Sequence, residues 1–242
     1  MALADDIAAW IRNIVHEAGA EGVVIGLSGG IDSAVVAGLA HRALEGKVLG
    51  AMLPCESDPR DAELARTVAA KFRLETTEVE LTAAYLALTA ALPDASAMAK
   101  ANIKPRLRMI ALHYLAAARH YLVCGAGNRS ELTIGYFTKF GDGGVDLLPI
   151  GGLLKCQVRE LAQQLGVPQP VIDRPPTAGL WPGQTDEAEM GLLYPELDAA
   201  IQAMDRGDTS SVAPEILARV QRLNTTSAHK RAMPPIFLPP AK

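Results

Sequence analysis

The chain has 242 residues, 49% of them hydrophobic and 21% charged. That composition excludes a disordered chain, and at about 150 residues per domain the length allows one domain or two. With 23 Lys and Arg against 27 Asp and Glu the net charge is −4, which gives no global pull towards nucleic acid.

The three cysteines, Cys55, Cys124 and Cys156, stand far apart with no CxxC pair. A structural zinc site and a disulfide framework therefore have no basis. No apolar run reaches the roughly 18 residues of a membrane span. Asp5 and Asp6 stand where a signal peptide would carry positive charge. The expectation is a reduced, soluble, cytoplasmic protein with no membrane or nucleic-acid partner.

Leu3, Ile7, Trp10, Ile11, Ile14 and Val15 recur at helical spacing, with Asp5 or Asp6 as cap and Gly19 and Gly22 as stop signals. The run 22–27 (GVVIGL) is short, β-branched and unalternating, which suits a strand buried on both faces of a parallel sheet. Residues 32–44 read as a helix, 47–54 as a strand, 58–72 as a helix and 75–80 as a third strand. A helix over 81–92 ends at Pro93, and a longer one over 106–120 has Pro105 in its first turn or at a kink. Residues 121–126 read as a fourth buried strand.

Strand and helix thus alternate through residue 126, the pattern of an α/β fold with a doubly wound, mostly parallel sheet. A glycine-rich run over 135–144 follows, then a helix over 155–165, a Pro-rich stretch over 168–182, short helices over about 187–224 and a Pro-rich tail. We expect a single domain over 1–242, with the core sheet in about 20–150 and a C-terminal helical extension in about 151–242. Cys124 is expected to pack as a small apolar residue, Cys55 to be exposed, and His41, His113 and His120 to be surface or half-buried helix residues.

The informative segment is Gly26-Leu27-Ser28-Gly29-Gly30-Ile31-Asp32-Ser33, between the first strand and its helix. Three readings compete. The glycine pair can simply permit positive φ in a tight turn. Gly26-x-Ser28-x-Gly30 matches the GxSxG elbow of serine hydrolases, although few upstream residues remain to supply its oxyanion loop. The third reading is a pyrophosphate cradle at a helix N-terminus, with Ser28 and Ser33 adding hydroxyl donors. Asp32 repels phosphate unless a Mg²⁺ lies between the two. Neither a Walker A motif nor GxGxxG is present.

Ser28-Gly29-Gly30-Ile31-Asp32-Ser33 resembles the SGGxDS loop of the N-type ATP pyrophosphatases. Downstream blocks resemble the ammonia-dependent NAD synthetases within that superfamily. They include 102–109 (NIKPRLRM), 125–131 (GAGNRSE), 135–146 (GYFTKFGDGGVD), 154–159 (LKCQVR), 176–180 (PTAGL), 184–187 (QTDE) and 229–231 (HKR), in the family's order. The resemblance implies an adenine nucleotide alpha hydrolase-like fold and a ligase that amidates deamido-NAD with free ammonia. ATP would be the co-substrate, AMP and pyrophosphate the by-products, and an adenylate the intermediate.

Residue by residue, the resemblance implies that Asp32 and Glu131 hold Mg²⁺. Residues 26–33 (Gly26, Leu27, Ser28, Gly29, Gly30, Ile31, Asp32 and Ser33), with Lys155 and Thr177, would contact ATP. Arg106, Lys139, Asp146, His229 and Lys230 would contact deamido-NAD, and Asp142 would lie near the ammonia site. Asp32, Lys155 and Asp142 are the expected catalytic residues. Taken without the family, Glu131 reads as a solvated helix residue and Lys155 as a surface lysine.

The chain departs from the pattern at Ala126, where the family commonly has a Thr that contacts ATP. Losing one neutral hydrogen bond there would weaken binding by on the order of 1 kcal/mol. Pro105 stands where Ala is more usual. About 21 residues precede the first strand, too few for a fused glutaminase, so free ammonia is the expected nitrogen donor. A homodimer is implied as well. The rival expectations are a tRNA-modifying sulfur transferase on the same loop and a hydrolase using Ser28.

Overall fold

The strands β1 (Gly22–Gly26), β2 (Val48–Met52), β3 (Glu75–Glu78) and β4 (Tyr121–Cys124) form one sheet in the order β3-β2-β1-β4, and every pairing is parallel. The computed structural model describes residues 2–181 and 183–239. Met1, Pro182 and residues 240–242 lie outside them, and with them the ends of the Pro-rich stretch and of the tail. No described helix is long and apolar enough to cross a membrane.

β1 and β2 are central because they are apolar on both faces. Val23 and Ile25 pack into one layer with α1 (Ala2–Glu17), α2 (Ile31–Leu44) and α8 (Lys155–Leu165). Val24 and Leu49 pack into the other, with Val123 and with Ala116 of α6 (Ile103–Arg119). β3 reads ETTE and is mostly exposed, as an edge strand can be. Its two glutamates pair outward, Glu75 with Arg119 and Glu78 with Arg66.

The chain runs outward from β1 through α2, β2 and α3 (Pro59–Lys71) to β3. It then returns through α4 (Thr82–Ala91), α5 (Ala97–Ala101) and α6 to β4, on the other side of β1. The winding direction therefore reverses between β1 and β4, and in such sheets the crevice beyond the strand C-termini at that point is where ligands bind. The segments leaving those two ends are the Ser28–Ser33 loop and the Gly125–Asn128 turn. A second, smaller core unites Ile134, Leu154, Leu197, Ile201 and Val220. It joins α7 (Arg129–Ile134) to α11 (Tyr194–Arg206) and α12 (Pro214–Thr226).

Several sequence expectations need correction. Asp5 and Asp6 do not cap α1, which already begins at Ala2; Asp5 sits in the first turn and pairs with Arg42. Cys55 is buried rather than exposed, in the layer that holds Val24 and Leu81, and desolvation raises its thiol pKa. Pro105 occupies the first turn of α6, where an amide is not needed. Short helices that were not foreseen include α5, α7 and, in the Pro-rich stretch, α9 (Gln169–Ile172). The remaining helices are α10 (Asp186–Met190) and α13 (Ala228–Arg231).

Candidate active site

The loop after β1 is wired by its own side chains. Ser33 Oγ donates to the Gly30 carbonyl at 2.9 Å, so the Ser28 hydroxyl donates to Ser33 Oγ at 3.1 Å. The Gly30 amide donates back to Ser28 Oγ at 3.2 Å. Gly29 has φ +73°, and a Cβ there would stand 2.5 Å from the Asp61 carbonyl oxygen. Glycine is thus required for both conformation and space.

The first bond of α2 runs from the Ala34 amide to Gly30 O, and no side chain caps the helix. The amides of Ile31, Asp32 and Ser33 are left as donors at the positive end of a 14-residue helix, a place suited to an anion. No histidine hydrogen-bonds Ser28 among the described residues, so the hydrolase reading has no general base.

Three charged groups distant in sequence meet beside this turn. Lys155 Nζ donates to Asp32 Oδ2 at 2.5 Å and to Glu131 Oε1 at 3.4 Å. Lys155 is only 1% exposed, which removes the surface-lysine reading. Burial disfavours its charge, but the Asp32 and Glu131 carboxylates outweigh that and hold the ammonium above its ordinary range. Glu131 is pushed up to about 7, first by burial, with Lys155 opposing and Asp32 adding to the rise. It is not a solvated helix residue either, since its side chain is 15% exposed.

Asn128 holds both acids. Its Nδ2 donates to Asp32 Oδ1 at 2.9 Å and its amide donates to Glu131 Oε2 at 3.2 Å. The Glu131 amide in turn donates to Asn128 Oδ1, closing a capping box on α7.

The cleft around this group has a volume of about 560 Å³. Its lining includes residues 26–28 and 30–33, Glu131, Asp142, Lys155, Thr177 and Lys230. Ala126 also lines it.

Arg106, Lys139 and His229 form a neighbouring cluster outside that lining. Arg106 donates to Lys139 O at 3.3 Å, and Lys139 Nζ donates to His229 O at 2.5 Å. Lys230 connects this cluster to the cleft through bonds to the carbonyls of Gly135 and Phe137, 2.8 Å each. Asp146 stands apart, its Oδ2 accepting the Val123 amide at 2.7 Å. Asp142 accepts the Thr138 amide at 2.8 Å; its enclosure in the cleft wall raises its carboxyl pKa, and that amide opposes the rise.

Sequence reasoning missed four side chains here. Asn128 lies within the 125–131 block, where Asn followed three residues later by Glu is a capping signal. The Tyr194 hydroxyl stands 2.9 Å from Asp186 Oδ2 and 3.2 Å from Glu131 Oε1, and Lys155 Nζ lies 4.8 Å from the centre of its ring. The Tyr136 hydroxyl reaches Asp186 at 3.1 Å and Glu189 at 2.8 Å. Burial raises the carboxyl pKa of Asp186, with Lys155 and the two tyrosines opposing.

The donor set fits a Mg²⁺ that is shared with a ligand. Asp32 and Glu131 supply hard oxygens that already converge on one cation, the Lys155 ammonium. No group of three or more metal-ligating side chains occurs among the described residues. Mg²⁺ held by one or two carboxylates ordinarily completes its shell with substrate phosphates and water.

Comparison with known proteins gives one consistent result. The NAD synthase family model matches residues 3–234. The NH(3)-dependent NAD(+) synthetase of Carboxydothermus hydrogenoformans is 48% identical over 232 residues, 94% of this chain and 93% of that protein. Among solved structures, NMN synthetase from Francisella tularensis has a TM-score of 0.89 and 37% identity, covering 98% of each chain. NH3-dependent NAD synthetase from Campylobacter jejuni, in complex with the nitrate ion, has a TM-score of 0.86 and 29% identity, again covering 98% of each.

Proposed function

The chain belongs to the NAD synthase family, and from that premise we propose that it is a ligase that amidates deamido-NAD with free ammonia at the expense of ATP. The nicotinate carboxylate attacks the α-phosphorus of ATP; an acyl-adenylate forms and pyrophosphate leaves. Ammonia then attacks the acyl carbon, AMP departs with the former carboxylate oxygen, and NAD remains.

The turn at Ser28–Ser33 binds the triphosphate through backbone amides and the two serine hydroxyls. Lys155, fully charged in the cleft, stabilises negative charge building on the departing pyrophosphate. Thr177, which also lines the cleft, is a further ATP contact. Lys230, Arg106 and Lys139 provide positive charge for the dinucleotide's phosphates and carboxylate, and His229 and Asp146 contribute to the same binding. Asp142 takes the proton that ammonium must lose before nitrogen can attack. Asp32 and Glu131 hold Mg²⁺, which when bound neutralises phosphate charge. Residues 1–242 work as one catalytic domain in the cytoplasm.

A homodimer is supported by an apolar face that the chain itself leaves open. α4 buries none of its residues although it reads TAAYLALTAA. Leu86 and Leu88 are exposed there, as are Ile110 and Tyr114 on α6.

The carrying observation is the meeting of Asp32, Glu131 and Lys155 at the free N-terminus of α2. The test is an assay of the purified protein with ATP, Mg²⁺, ammonium and deamido-NAD. AMP, pyrophosphate and NAD are expected in equal amounts. Nicotinate mononucleotide is run in parallel, because one structural relative is an NMN synthetase. A product from the mononucleotide alone would reassign the substrate, and product from glutamine without ammonium would overturn the nitrogen donor.

A further inference from the structure

Helix α11 carries a carboxylate where its neighbours are apolar. Asp198 is 4% exposed and lies beside Leu197, Ala200 and Ile201, which build the second core. Burying a carboxylate is costly unless it is hydrogen-bonded and faces positive charge.

Both conditions are met at the N-terminus of α8. Asp198 Oδ2 accepts the Cys156 amide at 2.9 Å, and Asp198 Oδ1 accepts the Ser130 hydroxyl at 2.5 Å. Ser130 Oγ in turn accepts the Lys155 amide at 3.0 Å. The helix's own cap position, Leu154, has no side-chain oxygen to offer. Asp198 and Ser130 therefore satisfy the first two amides of α8 from outside it.

We propose that Asp198 is a positioning residue for the reaction centre, acting through Ser130 to fix Lys155 and Glu131 relative to Asp32. Ser130 precedes Glu131 on α7, and Lys155 opens α8, so one carboxylate locks the two helices that bring the charged pair together. Tyr194, one turn earlier on α11, reaches Glu131 directly. The C-terminal helices thus hold the centre together from outside the lining of the cleft.

The catalytic part of this inference rests on the ligase reading; the geometric part does not. Asp198→Ala removes both acceptor oxygens, so the Cys156 amide and the Ser130 hydroxyl both lose their partner; Asn would not serve, because its amide group could still donate to Ser130 Oγ. Displacing a reacting group by about 1 Å can cost about a hundredfold in rate. We expect kcat for NAD formation to fall at least about tenfold at temperatures well below the variant's unfolding midpoint, with KM for deamido-NAD within about twofold of wild type.

Ser130→Ala is the second variant. It keeps the Asp198 bond to Cys156 but removes both the Asp198–Ser130 bond and the Ser130–Lys155 amide bond, so kcat should fall at temperatures well below its unfolding midpoint. Crystal structures of both variants should show the 2.5 Å Lys155–Asp32 contact lengthened. A lowered unfolding midpoint with unchanged kcat and an unchanged Lys155–Asp32 contact would overturn the proposal. If wild type makes no NAD, the ligase reading fails, and the crystal structures still decide the positioning role.

Discussion

At Asp32 both carboxylate oxygens are occupied, one by the Asn128 amide group and the other by the Lys155 ammonium. Removing its charge leaves Lys155 with Glu131 alone at 3.4 Å. Asp32→Asn is expected to lower AMP formation about a hundredfold or more while circular dichroism keeps its native form. A variant with native turnover would remove Asp32 from the mechanism.

Glu131 makes a second prediction, on stability. Its carboxyl is raised from 4.5 to about 7 in the folded protein. Between those values the native state keeps a proton that the unfolded chain has released. Stability should therefore fall as pH rises through that window and level off above it. Urea unfolding of metal-free protein across the window measures this, and Glu131→Gln should flatten the slope.

None of these meetings could be read from spacing. Asp32 and Lys155 stand 123 residues apart, and only the resemblance joined them in advance. Asp198 did leave a trace in the sequence, an acid placed on the apolar stripe of an amphipathic helix.

Among the elements, the Pro-rich segment over the cleft is held at two points. Arg174 pairs with Asp61 on α3. Lys104, 4% exposed, donates to Leu180 O at 2.9 Å and pairs with Glu56 at 3.0 Å. Lys104→Met retains the packing but removes both contacts. We expect faster hydrogen exchange over about residues 175–181 and a raised KM for ATP, with kcat nearly unchanged. Unchanged exchange there would show that Lys104 does not restrain the segment.

The long elements were legible because their patterns are unmixed. β1 and β2 are continuous apolar runs, and α6 ends at His120 in a left-handed conformation just before β4. Short helices such as α7 were hidden because six residues span too few turns to show a period. α7 depends instead on the Asn128–Glu131 cap. Cys55 was misplaced because the layer that buries it is assembled from distant parts of the chain, Val24, Leu81 and Val123 among them, which local pattern cannot reveal.

For the molecule as a whole, the uncovered apolar surface on α4 and α6 predicts its state in solution. Wild type should behave as a dimer in light scattering. Leu86→Glu combined with Ile110→Glu should yield monomers with a native circular dichroism spectrum. A wild-type monomer would mean that this face serves another purpose.

The Ser28–Ser33 turn lies early in the chain, whereas the ammonium that meets it comes 123 positions after Asp32 and the helix carrying Asp198 later still. A fragment cut short before α11 would lack Asp198 and Tyr194, the partners of the Cys156 amide and of Glu131.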